Sequence, residues 1–403
     1  MHVIEPTVYQ PQPSHRSWGL YIAVVATVVL ALGAVNYLRP LPTATASVLV
    51  HTPAASKPAL SWPTGGQAAI AAAGYGILDT SGTQTPLATA SIAKVILALC
   101  VLQKEPLVLG QSGPSYTINA SDVAIYQNYA DQNGSLLPVV ASEQLNEYQT
   151  LQALLLPSAN NIADSLAAWV FGGQAAYSTY ATTWLQQNGL NDTHIGSDAS
   201  GFDGNTVSTA SDLTRLGLLA AQNPVLVQIA GQSSADMPIA GTVTNYDTVL
   251  GQSGIDGLKT GNNTADPGAF LFTATKQVGD TNIRLSGTVM EAPDLNTALR
   301  ESVQLAASAE QGFEQVNVVQ AGQTVGSLRA KWGASVPITA SSSVHLVRWK
   351  ATPVTVKSSV NTSLHIGTIG ALKAAAGPNS TKTSLKLAHP LHGPSFWWRL
   401  TRH

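Results

Sequence analysis

Charge is scarce in this sequence: Asp, Glu, Lys and Arg together make up 10% of 403 residues, for a formal net charge of −2. So thin a supply of Lys and Arg offers no field for a nucleic-acid backbone, whose binding rests on many cationic contacts, and no nucleic-acid partner is expected. Cysteine is nearly absent. The one cysteine, Cys100, excludes an internal disulfide framework and any multi-cysteine metal site, and inside the run VILALCVL it reads as an inert core thiol. The 9 histidines are scattered, and between residues 65 and 313 only His194 occurs, so a zinc peptidase lacks ligands. His194 itself reads as a surface or turn residue. Asp198 and Asp203, in a Gly/Ser-rich loop, suit solvated turn acids better than a cation site. No metal and no cofactor is expected. The Gly-x-Ser-x-Gly elbow is missing, which leaves an α/β-hydrolase triad without its anchor. Glutamate is missing altogether from Asn161 to Ile255.

What charge there is divides along the chain. All 22 acidic residues precede residue 315, with 10 of the 20 basic ones, a balance of −12; the remaining 10 basic residues follow it, a balance of +10. The two parts therefore face different surroundings or each other. Near the start, Ser17 to Leu38 form an uncharged run between Arg16 and Arg39. As a helix it reaches about 33 Å, against about 30 Å for a bilayer core, and Trp18 and Tyr37 suit the two interfaces. A transmembrane helix over 17–38 is expected, after a short cytoplasmic segment 1–16; a cleaved signal is the alternative, but signal h-regions are shorter.

Residues 39–64, rich in Pro, Ala, Ser and Thr, read as an extended linker. From residue 65 the patterning becomes globular. QAAIAAAGYGILDTSG predicts a hairpin, Ser91 to Leu102 a buried helix, and helical periods recur over 142–156 and 160–171. Thr209 and Asp212 stand in capping-box spacing, which starts another helix. From Gly257, DGLKTG, AFLFTATK and NIRLSGTVME read as strands, and 293–310 as a helix. The order implies an α+β domain over 65–313, helices packed on an antiparallel sheet. Short β-branched pieces then predict a small all-β domain over 314–370, and the basic, low-complexity stretch 371–403 is expected to be disordered. Its end, FWWRLTRH, interleaves aromatics and arginines. A membrane interface and a solvated basic tail both fit it.

The chemistry is concentrated in three places. Ser91 and Lys94 are spaced i, i+3 at the mouth of an apolar helix, so the amine reaches the hydroxyl. A lysine kept neutral by burial and cationic neighbours takes that proton and makes the serine a nucleophile. Ser158-Ala159-Asn160 then lies between two helical patterns, and Lys259-Thr260-Gly261 lies on a predicted strand. In this order the three elements resemble the penicillin-reactive serine acyl-transferases, penicillin-binding proteins and serine β-lactamases. TASIAKVILAL, LLLPSANNIAD, VSTASDLTRLG and GLKTGNNTADPGAF are similar, more narrowly, to words of the D-alanyl-D-alanine carboxypeptidases, low-molecular-mass members of that group.

The resemblance spans about residues 65 to 310. It implies a β-lactamase/transpeptidase-like fold: an antiparallel sheet with helices on its faces, a helical subdomain and a following β domain. It also implies a membrane-anchored, extracytoplasmic enzyme that removes the terminal D-Ala of peptidoglycan stem peptides, with β-lactam antibiotics as covalent inhibitors. Ser91 is implied as the acylated nucleophile, Lys94 as its base and Ser158 as the relay to the leaving amine. Asn160 is implied to hold the substrate amide and Lys94, Lys259 and Thr260 to receive the substrate carboxylate, and Gly261 to let the strand lie close to the substrate. The N–H groups of Ser91 and Asn262 are implied as the oxyanion hole. Asn161 departs from the family's usual Asp, and NNTADPGAF is a longer, more polar turn than usual. Two alternatives stay open: a β-lactamase, disfavoured because the glutamate that would place its deacylating water is missing, and a silent wall-binding scaffold.

Overall fold

A computed structural model describes residues 15–262, 267–362 and 367–402. Its first element, α1 (His15–Leu38), contains a 21-residue apolar stretch, Trp18–Leu38, with a mean hydropathy of 2.2 and none of it buried in the protein. A helix apolar all round that packs into no core is long and apolar enough to cross a membrane. The next element, β1 (Thr45–Val48), lies within the expected linker.

The hairpin over Gly74 is present as β2 (Gln67–Ala72) and β3 (Gly76–Ser81). Three short pairings follow among the loops and helices: β4 (Leu87–Ala88) with β7 (Val207–Ser208), β5 (Ser115–Thr117) with β6 (Gln144–Asn146), and β8 (Ser234–Met237) with β9 (Gly241–Thr244). The strands β10 (Ile255–Gly261), β11 (Gly268–Val278) and β12 (Thr281–Ala292) complete a five-stranded antiparallel sheet in the order β10-β11-β12-β2-β3. Apolar side chains on both faces of β11 are buried, Leu271 on one side and Phe270 and Phe272 on the other. A sheet buried on both faces needs helices on both.

The helices are α2 (Ala93–Lys104), α3 (Ala120–Asp131), α4 (Glu147–Leu155), α5 (Asn160–Phe171), α6 (Gln174–Gln187), α7 (Ala210–Ala220), α8 (Pro224–Ala230) and α9 (Leu295–Gln311). The face with Leu271 packs on a core built from α2, α4 to α8; the other packs on α9. Every residue of α2 from Ala93 to Leu102 is buried, which is why its sequence shows no polar face. Thr209 caps α7 through its hydroxyl, which accepts from the Asp212 N–H at 3.1 Å, where the sequence places a helix start. The helix expected from residue 142 begins later, at Glu147, because Asn146 and Gln149 form a reciprocal capping box there.

Beyond α9 the structure is all β: β13 (Phe313–Val319), β14 (Thr324–Arg329), β15 (Ser335–Ala340), β16 (Val344–Trp349), β17 (Thr355–Val360), β18 (Thr368–Ala376) and β19 (Asn379–Leu387), followed by a short helix α10 (Phe396–Thr401). Six strands form one sheet in the order β1-β14-β15-β19-β18-β17, and β13 pairs with β16. This corrects two expectations. Residues 371–387 are not disordered: Leu372, Ala374 and Ala376 on β18 and Thr383 and Leu385 on β19 point inward while Lys373, Lys382 and Lys386 point out. The alternation is real, but Ala and Thr occupy most of the inward places, so composition hides it. And the linker is not only a spacer, since β1 pairs antiparallel with β14, Thr45 opposite Arg329.

Candidate active site

Ser91 lies in the one-turn 3-10 segment Ala90–Ile92 that precedes α2. Ala90 has φ +45°, a conformation that residues with a Cβ avoid. Gly201 lies against it: a Cβ on Gly201 would sit 2.2 Å from the Ala90 carbonyl oxygen, so the close approach of the two segments needs a glycine there. Lys94, fully buried, points its Nζ at three acceptors: Ser91 Oγ at 2.8 Å, Asn160 Oδ1 at 2.8 Å and the Ser200 carbonyl at 2.9 Å. The last two can only accept, so they hold two N–H groups. In the neutral amine the third direction is the lone pair, and the Ser91 hydroxyl donates into it. Burial, then the nearby charge of Lys259, hold Lys94 well below the usual lysine range, while Asp198 and Asp164 act the other way.

Asn160 is the first residue of α5, its backbone N–H donating to Ser135 O at 2.8 Å. Ser158, in the turn between α4 and α5, has φ +62° and is buried, and its Oγ has no hydrogen-bond partner among the described residues. Lys259 on the edge strand β10 is buried too. Its Nζ donates to Thr260 O at 3.0 Å and to Thr260 Oγ1 at 3.4 Å, and burial, opposed by Asp247, brings its pKa down to about 7. Gly261 is where β10 meets the turn that carries Ser91: a Cβ there would lie 2.9 Å from Thr89 O and 3.2 Å from Ile92 Cγ1. Only glycine permits that approach.

A narrow cleft of about 50 Å³ opens here, lined among others by Ser91, Gly134, Asn160, Phe202 and Asn262. Ser91, Lys94 and Asn160 thus form one bonded group, with Asn262 across the cleft and Lys259 close enough for its charge to act on Lys94. Ser158 is not hydrogen-bonded to Lys259 among the described residues, and neither it nor Thr260 lines the cleft. Asn263 to Asp266, most of the polar turn singled out in the sequence, lie outside the described residues.

Several residues of the site are not evident from sequence motifs. Asp198 is a turn acid as expected, but half-buried: its Oδ1 accepts from the backbone N–H groups of Ser200 at 2.7 Å and Phe202 at 3.1 Å and from the Ser200 hydroxyl at 2.6 Å. That wraps the loop so that the Ser200 carbonyl reaches Lys94. Asn161 has its own explanation: its Oδ1 accepts from Leu137 N at 3.0 Å and its Nδ2 donates to Leu137 O at 2.9 Å. An ionised aspartate cannot supply the second bond. Cys100 is fully buried among apolar side chains, and burial pushes its thiol pKa up.

A serine hydrogen-bonded to a buried lysine, set between a helical region and the edge of an antiparallel sheet, is the type of arrangement that serine acyl-transferases use. The chain belongs to the D-alanyl-D-alanine carboxypeptidase family, whose sequence model matches residues 65–294, and is accordingly a serine hydrolase. Its fold is similar to that of penicillin-binding protein 5 from Haemophilus influenzae, with 19% identity and a TM-score of 0.58 over 84% of this chain and 99% of that one. Penicillin-binding protein 6B from Escherichia coli gives 18% identity and 0.59 over 85% and 100%, and the Streptomyces K15 DD-transpeptidase 23% and 0.54 over 63% and 98%. No curated protein sequence gives a significant match.

Proposed function

We propose that this protein is a membrane-anchored D-Ala-D-Ala carboxypeptidase that trims the terminal D-Ala from peptidoglycan stem peptides, in cell-wall maturation, through an acyl-enzyme on Ser91. The observation that carries this reading is the environment of Lys94: buried, with two of its three hydrogen-bonding directions occupied by fixed acceptors and the third aimed at Ser91 Oγ at 2.8 Å. The Ser91 proton passes to the Lys94 amine as Oγ attacks the penultimate D-Ala carbonyl, and the N–H groups of Ser91 and Asn262 face the oxyanion. The peptide C–N bond then breaks, with Ser158 relaying to the departing D-Ala amine the proton that Lys94 took from Ser91, so that both side chains return to neutral. Water adds to the Ser91 ester and releases the shortened peptide. Asn160 orients the substrate amide. Lys259 and Thr260 meet its carboxylate, with Gly261 keeping β10 close. A β-lactam acylates the same serine and acts as a covalent inhibitor.

The anchor in this reading is α1, with the enzyme on the outer side of the plasma membrane. Contacts of α10 with the end of α1 support a membrane-interface role for the aromatic tail. Arg402 donates to the carbonyls of Asn36 (2.6 Å from Nη2) and Pro40 (3.1 Å), the Tyr37 and Phe396 rings pack at a tilt with centroids 5.7 Å apart, and Phe396 and Trp397 remain exposed beside the apolar helix. Aromatic rings at such a boundary settle among headgroups. Covalent labelling by a fluorescent penicillin tests the mechanism: the unmodified chain is expected to label and Ser91→Ala not to. An unlabelled wild type, or a mutant that labels equally, overturns it.

A further inference from the structure

Behind the cleft lies a set of side chains that the reaction at Ser91 does not itself call on. Asp164 stands one helical turn after Asn160, so both leave the same face of α5. Its Oδ2 accepts from the Tyr129 hydroxyl at 2.7 Å and its Oδ1 from the Ala199 backbone N–H at 3.1 Å. The carbonyl of the following residue, Ser200, is one of the three acceptors around Lys94 Nζ. Tyr129 is buried, lies 3.4 Å from Ser200 Oγ and packs edge-on against Phe202 with centroids 5.3 Å apart. Its own carbonyl accepts the Gly134 N–H at 2.9 Å. Gly134 and Phe202 line the cleft, so one tyrosine backs two parts of the cleft wall and one carboxylate ties it to the loop.

We propose that Asp164 is a positioning residue for the reaction at Ser91: it clasps the loop 197–203 to α5 so that the Ser200 carbonyl stays on Lys94. The proposal rests on Lys94 being the base. Two of that amine's three partners then depend on one face of α5, Asn160 directly and Ser200 through Asp164. Charged groups facing Lys94 are Lys259 from β10, Asp198 from the loop and Asp164 from α5. Of these, only Asp164 both bonds the loop and belongs to the helix that carries Asn160.

Two substitutions separate the clasp from the charge. Asp164→Asn keeps an oxygen for the Ala199 N–H but removes the negative charge; Asp164→Ala removes both. Acylation by a labelled penicillin is followed against pH on the full chain in detergent micelles. Independently of any acylation, the Lys94 ε-carbon is titrated by 13C NMR. Removing a negative charge makes Lys94 easier to deprotonate, so both variants move the acid limb and the Lys94 titration to lower pH, by on the order of one unit. The plateau rate stays within about twofold in Asp164→Asn and falls about tenfold or more in Asp164→Ala, as loss of alignment requires. A Lys94 resonance that titrates at the wild-type pH in Asp164→Asn overturns the proposal, as does a wild-type plateau in Asp164→Ala. If the wild type itself is not acylated, the catalytic reading of Ser91 fails, whereas the Lys94 titration still decides whether Asp164 acts on that amine.

Discussion

Asn161→Asp restores the residue usual in similar sequences, and in this chain it is expected to weaken the fold in a pH-dependent way. The Asn161 side chain is buried and exchanges two hydrogen bonds with Leu137, accepting at 3.0 Å and donating at 2.9 Å. A protonated aspartic acid reproduces both. An ionised one keeps the bond from Leu137 N but sets a carboxylate oxygen against the Leu137 carbonyl, so folding favours the protonated form and raises the carboxyl pKa. With an unfolded value of about 3.9 and a folded value about two units higher, stability falls as pH rises from about 4 to about 6 and is then constant. The loss on the plateau is about 3 kcal/mol at 1.36 kcal/mol per unit, or roughly 6–12 °C in Tm for a domain of this size. Thermal unfolding of wild type and variant at pH 4.5 and pH 8 measures it. A variant as stable as wild type at pH 8, or equally destabilised at both values, refutes the reasoning.

Two further outcomes follow from the geometry. With a pKa brought down to about 7 by burial, Lys259 loses its charge as pH rises through neutrality, so KM for a peptide ending in a free carboxylate should rise about tenfold per pH unit above 7. A C-terminally amidated peptide should show no such rise; a KM flat to pH 9 with the free carboxylate contradicts the assignment. Arg402→Ala removes the bonds to the end of α1 and should free α10, read as faster proteolysis beyond Leu387 in vesicle-bound protein. Unchanged digestion would mean that the arginine holds nothing.

The candidate catalytic group was legible because the chemistry proposed for it depends on local spacing and on order. Ser91 and Lys94 are three residues apart at the start of one helix, and Lys259 stands out as a lysine inside a strand. The clasp was not legible, since Asp164 looks like an ordinary polar position in NNIADSLAAWVF, and its partners Tyr129 and Ala199 lie 35 residues away on either side. Nor does any local preference reveal that Ala90 adopts a positive φ, or that Gly201, far along the chain, lies against its carbonyl. Much of the sheet could be read where β-branched and aromatic residues alternate, as in AFLFTATK. It failed on β18 and β19, where Ala and Thr hold most of the inward places, and on β1, whose partner strand lies on the far side of the whole catalytic region.

That placement of β1 has a consequence for the order in which the protein can be made. The strand is synthesised directly after the apolar helix, yet its partner β14 emerges only after α9. Joining two segments so far apart would cost a large loop-closure entropy in an unstructured chain, but if the intervening sheet and helices fold first, Thr64 and Phe313 are fixed in one body and the loop is already closed. The late sheet then forms as a seal over an enzyme that is already folded.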